Sequence, residues 1–106
     1  MTIRPAAAAD ALAIHAVHSA SFPTAAEADL VTRLEQAGRL PVSLVAEMNG
    51  RIVGHIGFSP VTTAAGKIGA GLAPVAVLAE YRRRGIAAEL VHAGLQACRE
   101  RGIGWV

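Results

Sequence analysis

One cysteine, Cys98, stands in a chain of 106 residues. A lone cysteine excludes an internal disulfide and any multi-cysteine zinc site, and a reducing, cytoplasmic setting is the simplest expectation. Aromatic residues make up only 4% of the chain, so the core has to be built from Val, Leu, Ile and Ala. Charged residues make up 17% against 53% hydrophobic, a balance that excludes a disordered, self-repelling tail. Net charge is only +2, and the one dense basic cluster is Arg82-Arg83-Arg84. That excess is too small for a nucleic-acid-binding face. No apolar run reaches the length of a membrane span; Ala6–Ala9 is ended by Asp10. Met1-Thr-Ile-Arg-Pro lacks the apolar stretch of a signal peptide. No repeat and no low-complexity linker divides the chain, and its length suits a single domain.

What is present is a clear succession of patterned segments. Thr2–Arg4 reads as a short strand stopped by Pro5. Ala8–Ser21 reads as a helix with Ala11, Ile14, Val17 and His18 on one stripe, broken by Phe22-Pro23. Thr24-Ala-Ala-Glu27 fits a capping box for a second helix that runs to Ala37 and stops at Gly38, with Ala26, Leu30, Val31 and Leu34 as its stripe. Ser43–Met48 and Arg51–Phe58 flank Asn49-Gly50, the pair favoured in a type I′ hairpin turn. Regular pairing outward from that turn sets Met48 against Arg51, Glu47 against Ile52 and Leu44 against His55. It places Glu47 on a face with Ile56 and Phe58, and His55 on the other with Leu44 and Val53.

Thr63–Gly66 reads as a loop. Ile68–Leu78 reads as a fourth strand, with Pro74 marking a bulge because proline cannot donate to a ladder. A third helix follows, with Ala87, Leu90, Val91, Gly94, Leu95 and Cys98 on one stripe and Gly102 as its stop. Ile103–Val106 reads as the start of a fifth strand. The expected order is β-α-α-β-β-β-α-β.

The chemistry concentrates where the fourth strand meets the third helix. Val75-Ala-Val-Leu-Ala-Glu-Tyr leads into Arg82-Arg-Arg-Gly-Ile-Ala87. Gly85 lets backbone approach a phosphate oxygen closely, and Ala87 is nearly as small. The helix N-terminus adds free N–H groups and about half a positive charge. The arginines can form charge-assisted hydrogen bonds. Together these make an anion cradle suited to a pyrophosphate. Other phosphate motifs fit badly: Gly69-Ala-Gly71 lacks a strand–turn–helix around it, and no Lys-Ser/Thr pair forms a P-loop.

On these residues the chain resembles the GNAT superfamily of acetyl-CoA-dependent N-acetyltransferases. Its Gln/Arg-x-x-Gly-x-Gly/Ala signature is matched by Arg82, Gly85 and Ala87. Ser43-Leu-Val-Ala-Glu, Asn49-Gly-Arg-Ile-Val-Gly-His55 and Leu72-Ala-Pro-Val-Ala-Val77 resemble a broad group of bacterial N-acetyltransferases. The resemblance implies a GNAT-like α+β fold over residues 1–106, a mostly antiparallel sheet with helices on both faces. It implies that Val75, Ala76 and Val77 bond the pantetheine arm through their backbone. Arg82, Arg83, Arg84, Gly85, Ile86 and Ala87 would wrap the pyrophosphate, and an amide near the bulge would hold the oxyanion. The implied reaction is direct attack of an amine, on a small molecule or a protein, on the thioester of acetyl-CoA. Acceptor recognition falls to the connection between the first two helices, Ser21–Thr24, and to a C-terminal segment.

This chain also departs from the family pattern. Leu72–Leu78 carries no carboxylate where many members have a catalytic Glu, and the region of the usual acidic Tyr lies past Val106. The expectation is a domain truncated in its fifth strand, whose open sheet edge pairs with another copy. General base and acid are unassigned. Glu47 reads as a strand carboxylate, Glu27 as a cap, His55 as a satisfied sheet histidine and Cys98 as a core thiol. His15, His18 and His92 lack partners at ligand spacing, so no metal site is expected. The alternative reading is a non-catalytic acyl-CoA-binding module without acid or base.

Overall fold

The computed structural model describes residues 1–62, 68–72 and 75–102. Its elements are β1 (Thr2–Pro5), α1 (Ala11–Ser21), α2 (Ala26–Gln36), β2 (Val42–Met48), β3 (Arg51–Thr62), β4 (Ile68–Leu72), β5 (Ala76–Val77) and α3 (Ile86–Glu100). Short 3₁₀ turns precede α1 (Ala8–Asp10) and α3 (Ala79–Tyr81). One antiparallel sheet runs in the order β1-β2-β3-β4, and β5 pairs with β3 beside β4. The expected loop at Thr63–Gly66, Pro74 and the expected strand at Ile103–Val106 lie in whole or in part outside the described residues.

Asn49 and Gly50 both have positive φ, +53° and +78°, as a type I′ turn requires. Met48 opposes Arg51 and Glu47 opposes Ile52, as expected. The register then slips between Ala46 and Glu47. Ala46 pairs with Gly54, Val45 with His55 and Leu44 with Ile56, so Val53 is an extra residue on β3. One inserted residue reverses the alternation beyond it. Glu47 therefore shares its face with Val45 and His55, not with Ile56 and Phe58, and Leu44 lies opposite Ile56 rather than His55.

This slip sorts the two faces. On one, Leu44, Ile56 and Phe58 meet α3, whose Leu90 lies against Gly54 and whose Gly94 lies against Phe58. On the other, Val45 packs with Ile14 of α1 and Val31 of α2. The helices thus cover both faces. Two stripes are rotated from expectation. In α2 Ala28 and Val31 are buried while Ala26 and Leu30 face solvent, and in α3 burial starts at Ile86, not Ala87. The capping box is also not formed as expected. Thr24 Oγ1 accepts from Ala26 N–H and donates to the Glu27 carboxylate, because the helix begins two residues after Thr24.

The expected fourth strand is divided into β4 and β5. Leu72 opposes Phe58 and Ala76 opposes His55.

Candidate active site

β5 ends at Val77, whose carbonyl is a point of convergence. Arg82 Nε–H donates to it at 3.0 Å, and Ser21 Oγ, whose hydroxyl donates to Val17 O at 2.8 Å, lies 3.4 Å from it. Leu78 N–H donates to Val53 O, which holds the chain to the sheet before it turns away. The turn Ala79–Tyr81 and the three arginines follow. Arg83 has φ of +64°, a left-handed conformation that a side chain with a Cβ disfavours, and Gly85 has φ of +76°. Alternating left-handed residues turn successive N–H groups toward one side, the geometry of an anion nest. Gly85 is the N-cap of α3 and brings no side chain to the free N–H groups of the first turn. A cavity of about 100 Å³ opens there, bounded by Val77, Tyr81, Arg82, Arg83 and the residues from Gly85 to Ala88. Ile86, buried in the core, anchors the helix start.

The three arginines do different things. Arg82 is folded back onto the Val77 carbonyl, Arg84 lies over the Tyr81 ring at 5.3 Å, and Arg83 takes the strained backbone position. Val75 precedes β5, Ala76 and Val77 form it, and Val77 bounds the cavity. β3 occupies one edge of β5, and no second strand pairs with β5 among the described residues. Of the residues singled out in the sequence, Val77, Arg82, Arg83, Gly85, Ile86 and Ala87 bound this cavity, whereas Val75, Ala76 and Arg84 do not line it.

Among the candidate bases Glu47 lies on the other face from that expected, while Cys98 is a core thiol and His55 a hydrogen-bonded sheet histidine, as expected. Glu47 accepts from Arg4 at 3.3 Å, and Arg4 also grips Asp10 with two bonds of 2.7 and 3.1 Å. The Arg4 guanidinium, with the Ala7 N–H, pulls the Asp10 carboxyl down to about 2. His15 bonds Asp29 at 3.1 Å. Cys98 is buried, which pushes its thiol pKa up and makes it a poor nucleophile.

A buried polar line was missed by reading residues singly. His18 Nε2 and His55 Nδ1 are 2.9 Å apart, His55 Nε2 and Ser43 Oγ are 2.8 Å apart, and Ser43 Oγ–H donates to Glu35. Both rings are fully buried, and burial lowers His18 to about 4 and His55 to about 3. The signal available beforehand was a histidine and a serine on adjacent strands. Only the bulge aligned them on the face that α1 and α2 cover.

A model of the Acetyltransferase (GNAT) family matches residues 11–105. An uncharacterized N-acetyltransferase of Escherichia coli K12, YhbS, is 39% identical over 104 residues, which cover 96% of this chain and 62% of YhbS. The crystal structure of YhbS in complex with CoA superposes with a TM-score of 0.89 at 38% identity, over 96% of this chain and 58% of that one. A GNAT family acetyltransferase from Brucella melitensis, in complex with acetyl-CoA, superposes with a TM-score of 0.85 at 35% identity, over 96% of this chain and 70% of that one. This chain therefore spans about three fifths of the length of its E. coli relative.

Proposed function

Since this chain belongs to the acetyltransferase (GNAT) family, we propose that it binds acetyl-CoA and passes the acetyl group to an amine by direct attack on the thioester. The observation that carries this reading is the nest at the start of α3, with left-handed Arg83 and Gly85 and a cavity over an uncapped helix end. An anion is stabilised there by the helix N-terminus and by free backbone N–H groups. The pyrophosphate would sit over Gly85, Ile86 and Ala87, with Arg83 beside it. Arg82 would act by fixing the Val77 carbonyl. The pantetheine arm would run along Val75, Ala76 and Val77 at the edge of β5 away from β3. The relatives crystallised with CoA and acetyl-CoA support this assignment of ligand.

A thermal-shift titration with acetyl-CoA tests it. At a hundredfold over its dissociation constant a ligand stabilises the fold by roughly 2.7 kcal/mol. Gly85→Glu sets a carboxylate where the phosphates would lie, in open space above the loop, and is expected to abolish the shift. A wild-type protein with no shift overturns the cofactor assignment. The reading as an acyl-CoA-binding module without transfer is favoured by one observation, the lack of any carboxylate in Leu72–Leu78. Release of CoA in the presence of a primary amine separates the two.

A further inference from the structure

Glu35 of α2, Ser43 of β2, His55 of β3 and His18 of α1 form one hydrogen-bonded line under the helices. The Glu35 carboxylate, about one third exposed, sets the direction of every proton in it. A carboxylate only accepts, so the Ser43 hydroxyl donates to it. The Ser43 oxygen then accepts from Nε2–H of His55. A neutral His55 with its proton on Nε2 has a bare Nδ1, which accepts from Nε2–H of His18. The line ends on Nδ1 of His18, a bare nitrogen in a fully buried ring with no partner among the described residues. An unpaired buried acceptor is costly to keep, and among the described residues this side-chain atom is the one left so.

Its place gives that atom a role. His55 lies opposite Ala76 in the pairing of β3 with β5. Ser21, less than one turn after His18, places its Oγ 3.4 Å from the Val77 carbonyl. The line thus ends beside the strand that would carry the acyl arm, at the start of the connection between α1 and α2. We propose that Glu35, Ser43, His55 and His18 are a proton relay for acetyl transfer, with His18 Nδ1 taking the proton that the acceptor ammonium must lose. This rests on the acetyl-CoA reading above.

In the forward shift each proton moves across one bond. The ammonium proton goes to His18 Nδ1, the Nε2 proton of His18 to His55 Nδ1, the Nε2 proton of His55 to Ser43, and the Ser43 proton to Glu35. Both rings exchange tautomers and neither ends charged. That matters because burial penalises the imidazolium at both sites, and His15, one turn before His18, opposes a charge there further. The freed amine attacks the thioester carbon; the C–N bond forms and the C–S bond breaks, and sulfur leaves with the electron pair as thiolate. The reverse shift returns the proton from Glu35 to the thiolate. The amide nitrogen loses its remaining excess proton to solvent, so one proton is released overall. Phe22, stacked on His18 at 6.1 Å, covers the ring and is the first residue after α1. An acceptor arriving at residues 22–25 displaces that cover.

The test measures CoA release from acetyl-CoA with two small nucleophiles at neutral pH. Ethylamine is almost wholly protonated and must shed a proton; hydroxylamine is already unprotonated. His18→Gln is expected to lower the ethylamine rate on the order of 100-fold and the hydroxylamine rate by a much smaller factor. Ser43→Ala and Glu35→Gln, which interrupt the line away from the substrate, are expected to act in the same selective direction. The acetyl-CoA thermal shift is expected to persist in all three variants. Equal losses with both nucleophiles, or no loss with either, overturn the relay. A wild-type protein that binds acetyl-CoA but acetylates neither nucleophile also overturns it. A wild-type protein with no acetyl-CoA shift overturns the cofactor reading instead.

Discussion

Gly94 shows how much one residue can decide. It lies on the buried stripe of α3, where a helix former would be favoured by propensity alone. A Cβ at this position would run into Cε2 of Phe58, one of the largest side chains in the core. Glycine therefore sets how closely α3 approaches the sheet, and with it the position of the nest at the helix start. Gly94→Ala is expected to destabilise by about 1–3 kcal/mol despite its better helix propensity, because the ring has to leave its packed position. Urea unfolding measures this; a stabilised variant would mean the helix shifts without cost. Gly85 needs its freedom for another reason. Nothing crowds it, but its φ of +76° is one that a Cβ makes unfavourable.

At the scale of elements, the loop between β5 and α3 holds strain that the fold itself does not require. Arg83 sits in the left-handed region at +64°. Arg83→Gly removes that penalty and is expected to stabilise the protein by about 1 kcal/mol. It also removes a cation from the proposed pyrophosphate site, so acetyl-CoA affinity is expected to fall. Melting temperature and an acetyl-CoA titration on the same variant read the two effects, and a variant both less stable and equally tight would contradict this account. The hairpin carries the other decisive element feature. The extra residue at Val53 places His55 under α1 and α2, and without it the polar line could not assemble.

For the whole molecule, the two buried histidines make stability depend on pH. Both are held neutral in the fold, His18 at about 4 and His55 at about 3, and return to their ordinary value of 6.5 when the chain unfolds. Below that value the unfolded chain binds more protons, so acid favours unfolding. Stability is expected to be level above about pH 7. It should then fall from pH 6.5 toward 4, by about 1 kcal/mol per pH unit for each ring. Asp10 contributes in the same direction only lower, between its ordinary 3.8 and about 2. Urea unfolding at a series of pH values reads the slope, and replacing His18 and His55 together by Gln is expected to flatten it. A wild-type profile level from pH 7 to about 5 would contradict the burial of neutral rings.

The local signals were legible in the sequence because they are local in cause. Asn49-Gly50 dictates a tight turn through its own φ angles, and Gly85 opens a helix through its own missing Cβ. The order of elements from the first strand to the third helix, apart from the division of the fourth strand, could be read from patterns a few residues long. The faces could not. A slip of one residue in β3 moved Glu47 and His55 onto the same side, and slight rotations of α2 and α3 exchanged Leu30 for Ala28 and Ala87 for Ile86 in the core. Glu35, Ser43, His55 and His18 lie on four elements, and each alone reads as an ordinary polar residue. Only tertiary packing joined them, because a hydrogen bond depends on distances of about 3 Å that no spacing along the chain specifies.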